Sequence, residues 1–365
     1  MILISTLGRY IGARFFKGIL VAFAFFFAIV YLGDFLELFR RSAERQGFTA
    51  GAAALASLLR VPSIVELMLP FAVLGGSIWA FLSLSRRLEL VVARAAGISV
   101  WQFTAPPLVV AIVLGLVTTG GYNPLGAYLK DRADELTANM FYRETRFSTD
   151  GATTQAWLSQ DGADGESIMH AQQSLDQGAR LMQVTAMTFD RQGRFHERID
   201  AAEATYANGL WTLKSGFIHA PKLAPKPFDT YAISTFLTID QIRNTLAEPE
   251  SVPFWQLHAY IETAQNAGLP AYAYELQYQL LLARPLLFAA MVLIAATVSL
   301  RVFRFGNIGR LILGGAVAGF VLYVAGELAR GLGSVGIVPP ILAAWSPAVV
   351  ASLIGFTILL YQEDG

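Results

Sequence analysis

The chain has 365 residues, 55% of them apolar and only 15% charged, with a mean hydropathy of +0.49. Charged residues make up about a quarter of an ordinary soluble protein, so a charge-covered globule is excluded. A net charge of zero speaks against a bulk nucleic-acid binder, and the absence of cysteine removes disulfides, thiolate metal sites and cysteine nucleophiles.

A spanning helix needs about 20 mainly apolar residues, because the hydrocarbon core is about 30 Å thick. The first such window lies between Lys17 and Asp34, on "GILVAFAFFFAIVYLG". No small-residue cleavage site follows it, so it reads as a membrane anchor rather than a signal peptide. Phe23, Phe25, Phe26 and Phe27 go round this helix, so some of them must face lipid or a neighbouring subunit. The second window lies between Glu66 and Arg86.

Then "SRRLELVVARAAGISVWQ", Ser85 to Gln102, interrupts the apolar pattern with three arginines and a glutamate. Placed on a helix, Leu88, Val91, Val92 and Ala95 form one apolar stripe, and Gly97 is a natural stop. Arg87 and Arg94 share one flank and Glu89 lies on the other. Two readings stand: a surface helix with its stripe in lipid, or a rod that docks into a groove on a partner and moves spans two and three. An acid gains nothing near anionic headgroups, so Glu89 favours docking.

The third span runs through "FTAPPLVVAIVLGLVTTGGY". Prolines 62, 70, 106 and 107 would kink a soluble helix, but in a bundle neighbouring helices satisfy the freed carbonyls. From about Lys130 to Pro270 the composition turns polar. "DELTANMFYRE" extends span three, and "RLMQVTAMTFD" alternates as a strand. "FHERIDAAEATY" and "LWTLKSGFI" flank Ala207-Asn208-Gly209, a hairpin signal. Short strands at this spacing predict an antiparallel sandwich or jelly roll, followed by a helix on "FWQLHAYIETAQNAG". Span four centres on "PLLFAAMVLIAATVSL" after Arg284, span five on "LILGGAVAGFVLYVAG" after Arg310, and span six fills most of Gly336 to Tyr361. The Gly-rich start of span five permits close helix approach, either at a seam between subunits or within the chain.

Orientation follows from Lys/Arg in short loops. One side holds Arg9, Arg14, Lys17, Arg86, Arg87, Arg94, Arg301, Arg304 and Arg310, the other Arg40, Arg41, Arg45 and Arg330. This predicts cytoplasmic termini and an external insertion, periplasmic in a bacterial inner membrane. The predicted division is 1–129 for spans one to three with a coupling segment at about 85–97, 130–270 for the β domain with flanking helices, and 271–365 for spans four to six.

No G-x-x-x-x-G-K-[ST] loop and no G-x-S-x-G elbow occurs. The four histidines, His170, His196, His219 and His258, are scattered, so neither a nucleotide site nor a metal centre is predicted. Among the membrane charges, Glu66 sits between Pro62 and Pro70, with Arg60 as a candidate partner, and an acid at this depth is a functional suspect. Glu327 and Arg330, three apart, either pair with each other or stand at a cavity mouth or a subunit interface. The rival classes are a non-transporting scaffold or receptor with a partner-binding β domain, and a lipid-modifying enzyme working through Asp34, Glu66 and Glu327.

"SRRLELVVARAAGIS" resembles the coupling helix of the LptF/LptG lipopolysaccharide export permeases, and "GIVPPILAAWSPAVV" resembles their last-span signature. "LGRYIGARFF" also matches, and the resemblance covers essentially the whole chain. The insertion matches in position, length and strand character more than in sequence. "RLELVVARAAG" and "DFLELFRR" look more like the LptG branch than the LptF branch.

The resemblance implies six transmembrane helices with an inserted periplasmic antiparallel β jelly-roll-like domain, in a half-transporter rather than an enzyme. The implied partners are a paralogous LptF permease, a dimer of the ATPase LptB, LptC and the periplasmic bridge. ATP and Mg would be used by that ATPase, with no cofactor bound by this chain. Lipopolysaccharide would enter from the outer leaflet and be pushed into a line of jelly rolls. The implied coupling residues are Arg86, Arg87, Glu89, Leu90, Val91 and Arg94. Arg40 and Arg41 match a basic pair that would face lipid A phosphates, which a planar guanidinium binds two oxygens at a time; interfacial anchoring is the plainer alternative. Arg45, Lys130 and Arg132 are further candidates. Some relatives carry a basic residue where this chain has Asp34, so the phosphate site would be arranged differently here.

Overall fold

The computed structural model describes residues 6–42, 50–142, 156–162, 165–175, 179–190, 194–207, 209–221, 224–236, 249–266, 271–300 and 308–363. Its elements in chain order are α1 (Thr6–Ser42), α2 (Ala50–Glu66), α3 (Leu69–Arg86), α4 (Glu89–Ala95) and α5 (Val100–Val117). A π turn (Thr118–Tyr122) leads into α6 (Asn123–Tyr142). Six strands follow: β1 (Ala156–Gly162), β2 (Gly165–Leu175), β3 (Arg180–Phe189), β4 (Phe195–Ala207), β5 (Leu210–His219) and β6 (Lys226–Ser234). After a 3-10 turn (Pro249–Ser251) come α7 (Phe254–Asn266), α8 (Tyr272–Leu300), α9 (Ile308–Ser334) and α10 (Pro340–Glu363).

Six of these helical stretches are long and apolar enough to cross a bilayer: Thr6–Arg40, Leu69–Arg86, Val100–Asp134, Tyr272–Ser299, Leu313–Ser334 and Pro340–Tyr361. They are the six expected, in the expected order. The sequence did not announce α2. Its seventeen residues include Pro62, and it fills the space between α1 and α6 with a face of Ala53, Ala56, Val61 and Val65. Of the prolines flagged as kinks, Pro70 sits in the first turn of α3, where its missing N–H costs nothing.

The bundle is centred on α8, which packs against α3, α5, α9 and α10. Phe288, Met291 and Val292 on α8 meet Ile11 and Phe15 of α1, Phe81 of α3 and Phe103 of α5 in one core cluster. Phe15 stands edge-on to Phe81 with ring centroids 4.5 Å apart. Pro285 leaves the carbonyl of Leu281, four residues back, without its helical N–H. The Thr119 hydroxyl, on the π turn, donates to that carbonyl at 2.8 Å. In span five Gly315 and Gly319 lie against the side chains of Ile78 and Leu74 of α3 and so pack within the chain, while Gly314 has open space around it. Helix α1 is the opposite of α8. Only 6% of its most apolar window is buried, against 67% for α8; Phe23 faces Tyr122, while Phe25 is exposed.

The inserted domain is an antiparallel sheet whose six strands pair in chain order, β1 to β6. Its strands lie within 156–234, and the predicted boundary at 130 falls inside the unbroken helix α6. The hairpin at Ala207 is as predicted, with Gly209 at φ +77°, a conformation glycine adopts without penalty. The sheet becomes a roll by bending. Gln183 (φ 50°) and Ser215 (φ 52°) crease β3 and β5, and the inward positions shift phase there. Leu181 and Trp211 are buried on one side of the crease, and Val184, Ala186 and Ile199 on the other. One polar group closes the roll: the Trp211 indole donates to the Gln160 side-chain oxygen at 3.1 Å, and Gln160 donates to the Ser167 hydroxyl at 3.1 Å.

Replacing Trp211 with Ala should cost about 3–5 kcal/mol, read as faster amide hydrogen exchange in β1 and β5 of the detergent-solubilised full chain. Trp211→Phe, which keeps an aromatic ring but removes the N–H partner of a buried amide and part of the ring volume, should cost about 1–3 kcal/mol. A Trp211→Phe variant with exchange rates in β1 and β5 equal to those of the unaltered chain would show that Gln160 does not close the roll.

Candidate functional site

The segment expected to be one helix from 85 to 97 is two. Arg86 ends α3, and Leu88 takes a left-handed conformation (φ 61°, ψ 8°) before α4 starts at Glu89. A left-handed leucine costs roughly 1–3 kcal/mol and persists only where the surroundings hold it. At the other end Gly97 (φ 81°) closes α4. Its N–H bonds to the Arg94 carbonyl at 3.0 Å, and the Ile98 N–H to the Ala93 carbonyl at 3.1 Å, the paired bonds of a Schellman stop. Ser99 and Gln102 then cap α5 reciprocally. The seven-residue α4 is thus bracketed by two positive-φ residues.

Leu90 and Ala93 are the buried side chains of α4, and Leu90 joins the core cluster with Val100 and Phe103. The stripe read from the sequence faces out: Leu88 is 61% exposed, Val91 42% and Val92 66%, and Ala95 is also exposed. Arg86, Arg87 and Arg94 are exposed around it. The result is an aliphatic knob ringed by guanidinium groups.

Glu89 turns the other way, toward α1. The Tyr10 hydroxyl donates to its Oε1 at 3.2 Å, and the Arg14 guanidinium lies 3.6 Å from the same oxygen. Arg14 also donates to the Tyr10 hydroxyl at 2.6 Å and to the Ser83 hydroxyl of α3 at 3.1 Å, and its guanidinium stands 5.1 Å from the Tyr10 ring centre. One hydroxyl and one guanidinium therefore join α1, α3 and α4.

At the other end of the bundle the charges are paired across helices. Asp34 on α1 accepts from the Ser57 hydroxyl at 2.7 Å and from two nitrogens of Arg60, both on α2. The position where some relatives are basic is here a staple between α1 and α2. Arg60 is accordingly not the partner of Glu66. Glu66 takes Arg284 of α8 at 2.6 Å and the Asn123 amide at 2.9 Å. Around that pair the Tyr122 hydroxyl donates to the Pro62 carbonyl, the Phe254 N–H donates to the Asn123 side-chain oxygen, and the Trp255 indole donates to the Gly120 carbonyl of the π turn. This knot fastens α2, α6, α8 and the start of α7, the helix that returns the chain from the β domain.

The lipopolysaccharide candidates are only partly brought together. Arg40 is 78% exposed and pairs with Glu37 at 2.8 Å. The Arg41 side chain and the whole of Arg45 lie outside the described residues. Gly126 of α6 rests against Ser63 and Glu66 of α2, and Lys130 and Arg132 follow one to two turns on. Arg132 donates to the Tyr128 hydroxyl at 3.3 Å, with its guanidinium 5.5 Å from that ring. Arg330 and Glu327 do pair, at 3.7 Å, and Arg330 also donates to Glu250 at 3.2 Å. Arg330 and Glu250 also line a cavity of about 340 Å³ with Pro249, Ala273, Leu276, Gln277 and Ser334. Among the described residues no cluster of three or more metal-ligating side chains occurs.

Six spans, a rod between spans two and three, and a β roll between spans three and four define a polytopic membrane protein of permease build. Over residues 9–361 the chain matches the family described as Lipopolysaccharide export system permease LptF/LptG, and it belongs to that family. It is 24% identical over 365 residues to the Lipopolysaccharide export system permease protein LptG of Escherichia coli (strain K12), covering 98% of this chain and 99% of that protein. It is likewise 24% identical over 376 residues to the protein of the same description from Haemophilus influenzae, covering 99% and 100%.

Sequence reasoning missed Tyr10, Arg14, Ser83, Arg284, Asn123 and Glu250 as members of these clusters. The Tyr10–Arg14 spacing puts both on one helix face, and Arg284-Pro285 inside an apolar run marks a buried charge beside a freed carbonyl. Arg284→Gln should lower stability by about 3–5 kcal/mol by stranding Glu66, measured by thermal unfolding in detergent. The double variant Glu66→Gln, Arg284→Gln should recover more than half of that loss. A single variant no less stable than Arg40→Gln would show that the pair is not structural.

Proposed function

We propose that this chain is the LptG-type permease subunit of an ATP-driven exporter that extracts lipopolysaccharide from the bacterial inner membrane and passes it to a periplasmic bridge toward the outer membrane. The chain itself is non-catalytic; a separate LptB ATPase dimer hydrolyses ATP with Mg. The observation that carries the reading is the α4 knob: Leu88, Val91 and Val92 exposed on a rod whose buried side roots in the core. A membrane-surface helix would keep its arginines on the flank away from lipid. Here Arg86, Arg87 and Arg94 ring the apolar tip, which suits insertion into a protein groove whose acidic rim meets them.

The termini and α4 lie in the cytoplasm in this reading, and the β roll lies in the periplasm. The exposed apolar faces of α1, with Leu20, Phe25, Ile29 and Leu36, and of α9, with Val317, Val321 and Leu328, supply the surfaces that a paralogous LptF permease and the LptC span would cover. Arg40, Arg41, Arg45, Lys130 and Arg132 are the residues proposed to meet the phosphates of lipid A. Their chemistry fits, since guanidinium and ammonium groups at a membrane edge attract phosphate.

Val92→Asp should weaken co-purification with the ATPase by about tenfold or more, the scale of removing a buried interface anchor, while membrane insertion is retained. Undiminished association would refute docking through α4.

A further inference from the structure

The proposed function makes α4 the part that a motor grips, and leaves open which span receives the movement. Leu88 at φ 61° and Gly97 at φ 81° break the helix on either side of α4, which meets α3 and α5 through side chains such as Leu90, packed with Leu84, Val100 and Phe103. Neither neighbour in sequence is continuous with it. Helix α1, remote in sequence, holds it by the charged end: Tyr10 and Arg14 both reach the Glu89 carboxylate, and Arg14 reaches Ser83 of α3 as well.

We propose that Tyr10 and Arg14 are positioning residues that fasten α4 to span one, so that displacement of α4 is delivered first to α1. This rests on the docking reading given above and adds the route the movement takes.

The packing of α1 fits such a part. Its 37 residues make a rod about 55 Å long. The lower end is fixed by Ile11, Phe15 and Ile19 in the core cluster, and the upper end by the Asp34–Arg60 pair and by Leu38 against Ala53 and Ala56. Between them, from residue 20 to residue 37, no residue is buried. The middle is held on one face only, by Phe23 against the core cluster and Tyr122 and by Tyr31 on Ala54, and a stiff helix fixed most firmly at its two ends transmits a push at one end to the other. The clasp is also built to keep its geometry. The Tyr10 hydroxyl accepts from Arg14 while donating to Glu89, which uses both of its capacities, and the planar guanidinium sits over the same ring. Lysine at position 14 would supply the charge without the fork.

The chain has no cysteine, so a pair introduced by Ala13→Cys and Ala96→Cys, both exposed positions, can be spin-labelled in the purified chain before assembly, with no background from it. In the assembled exporter, pulsed electron resonance should give one narrow α1–α4 distance that is kept with and without ATP. Arg14→Gln should broaden it and make it depend on nucleotide. ATPase association should be unchanged in that variant, while lipopolysaccharide extracted per ATP hydrolysed should fall by about fivefold or more, the lower end of ordinary coupling energies. Arg14→Lys should fall between. Tyr10→Phe keeps the ring and removes only the hydroxyl, so it gives the same readout if Arg14→Gln fails to insert. An unchanged distance and unchanged extraction per ATP in both variants would overturn the proposal. So would loss of ATPase association, which would place the pair in the docking surface. Undiminished association in Val92→Asp would instead remove the docking reading and leave the geometry of the clasp untouched.

Discussion

Hydrocarbon offers no water to an orphaned carbonyl or an unpaired charge, and each such group left bare costs several kcal/mol. That constraint organises this bundle. Pro285 orphans the Leu281 carbonyl, and the chain answers with Thr119 on a π turn. The π turn in its own turn exposes the Gly120 carbonyl, and Trp255 answers it from the helix that returns from the β roll. Arg284 beside the proline is answered by Glu66, and Asp34 by Arg60. Each repair reaches across to another element, two of them from α2, so satisfying one polar group fixes the position of the next element.

The repairs are distributed unevenly, and the mechanics follow from where they are absent. The knot of Glu66, Asn123 and Arg284 makes α2, α6, α7 and α8 one body. Helix α1 takes part mainly toward its ends, through Tyr31 and Asp34 above and through Tyr10 and Arg14 below. Helix α9 packs through Gly315 and Gly319 on α3 and leaves a broad apolar face outward. The molecule thus pairs a rigid centre with two outer spans whose free faces suit a partner subunit and a lipid path.

Much of this was legible in the sequence. Length and hydropathy alone separate the six spans, because the bilayer imposes a minimum apolar length that few other elements reach. The hairpin at Ala207 and the stop at Gly97 were legible because glycine at positive φ is a local requirement. The α4 stripe was legible as a period, but its direction was not. Leu90 faces in and Val92 out because Leu88 breaks the helix, and a leucine in the left-handed region leaves no mark in a periodicity. The roll misled the alternation rule in the same way, since Gln183 and Ser215 shift the inward phase in mid-strand. Charge partners were the least legible. Glu66 and Arg284 are 218 residues apart, and sequence proximity favours Arg60, which the fold gives to Asp34. Helix α2 escaped notice because packing against α1 and α6, not its own hydropathy, defines it.

The proposed coupling requires α4 to enter a groove on a soluble motor. A photoreactive amino acid at position 91, activated in intact cells, tests this with a single adduct. A docked α4 should give a crosslink to the ATPase that is identified by mass spectrometry and disappears when the ATPase is depleted. Adducts made only with phospholipid, unchanged by that depletion, would mean that α4 lies on the bilayer, and would contradict the proposed coupling.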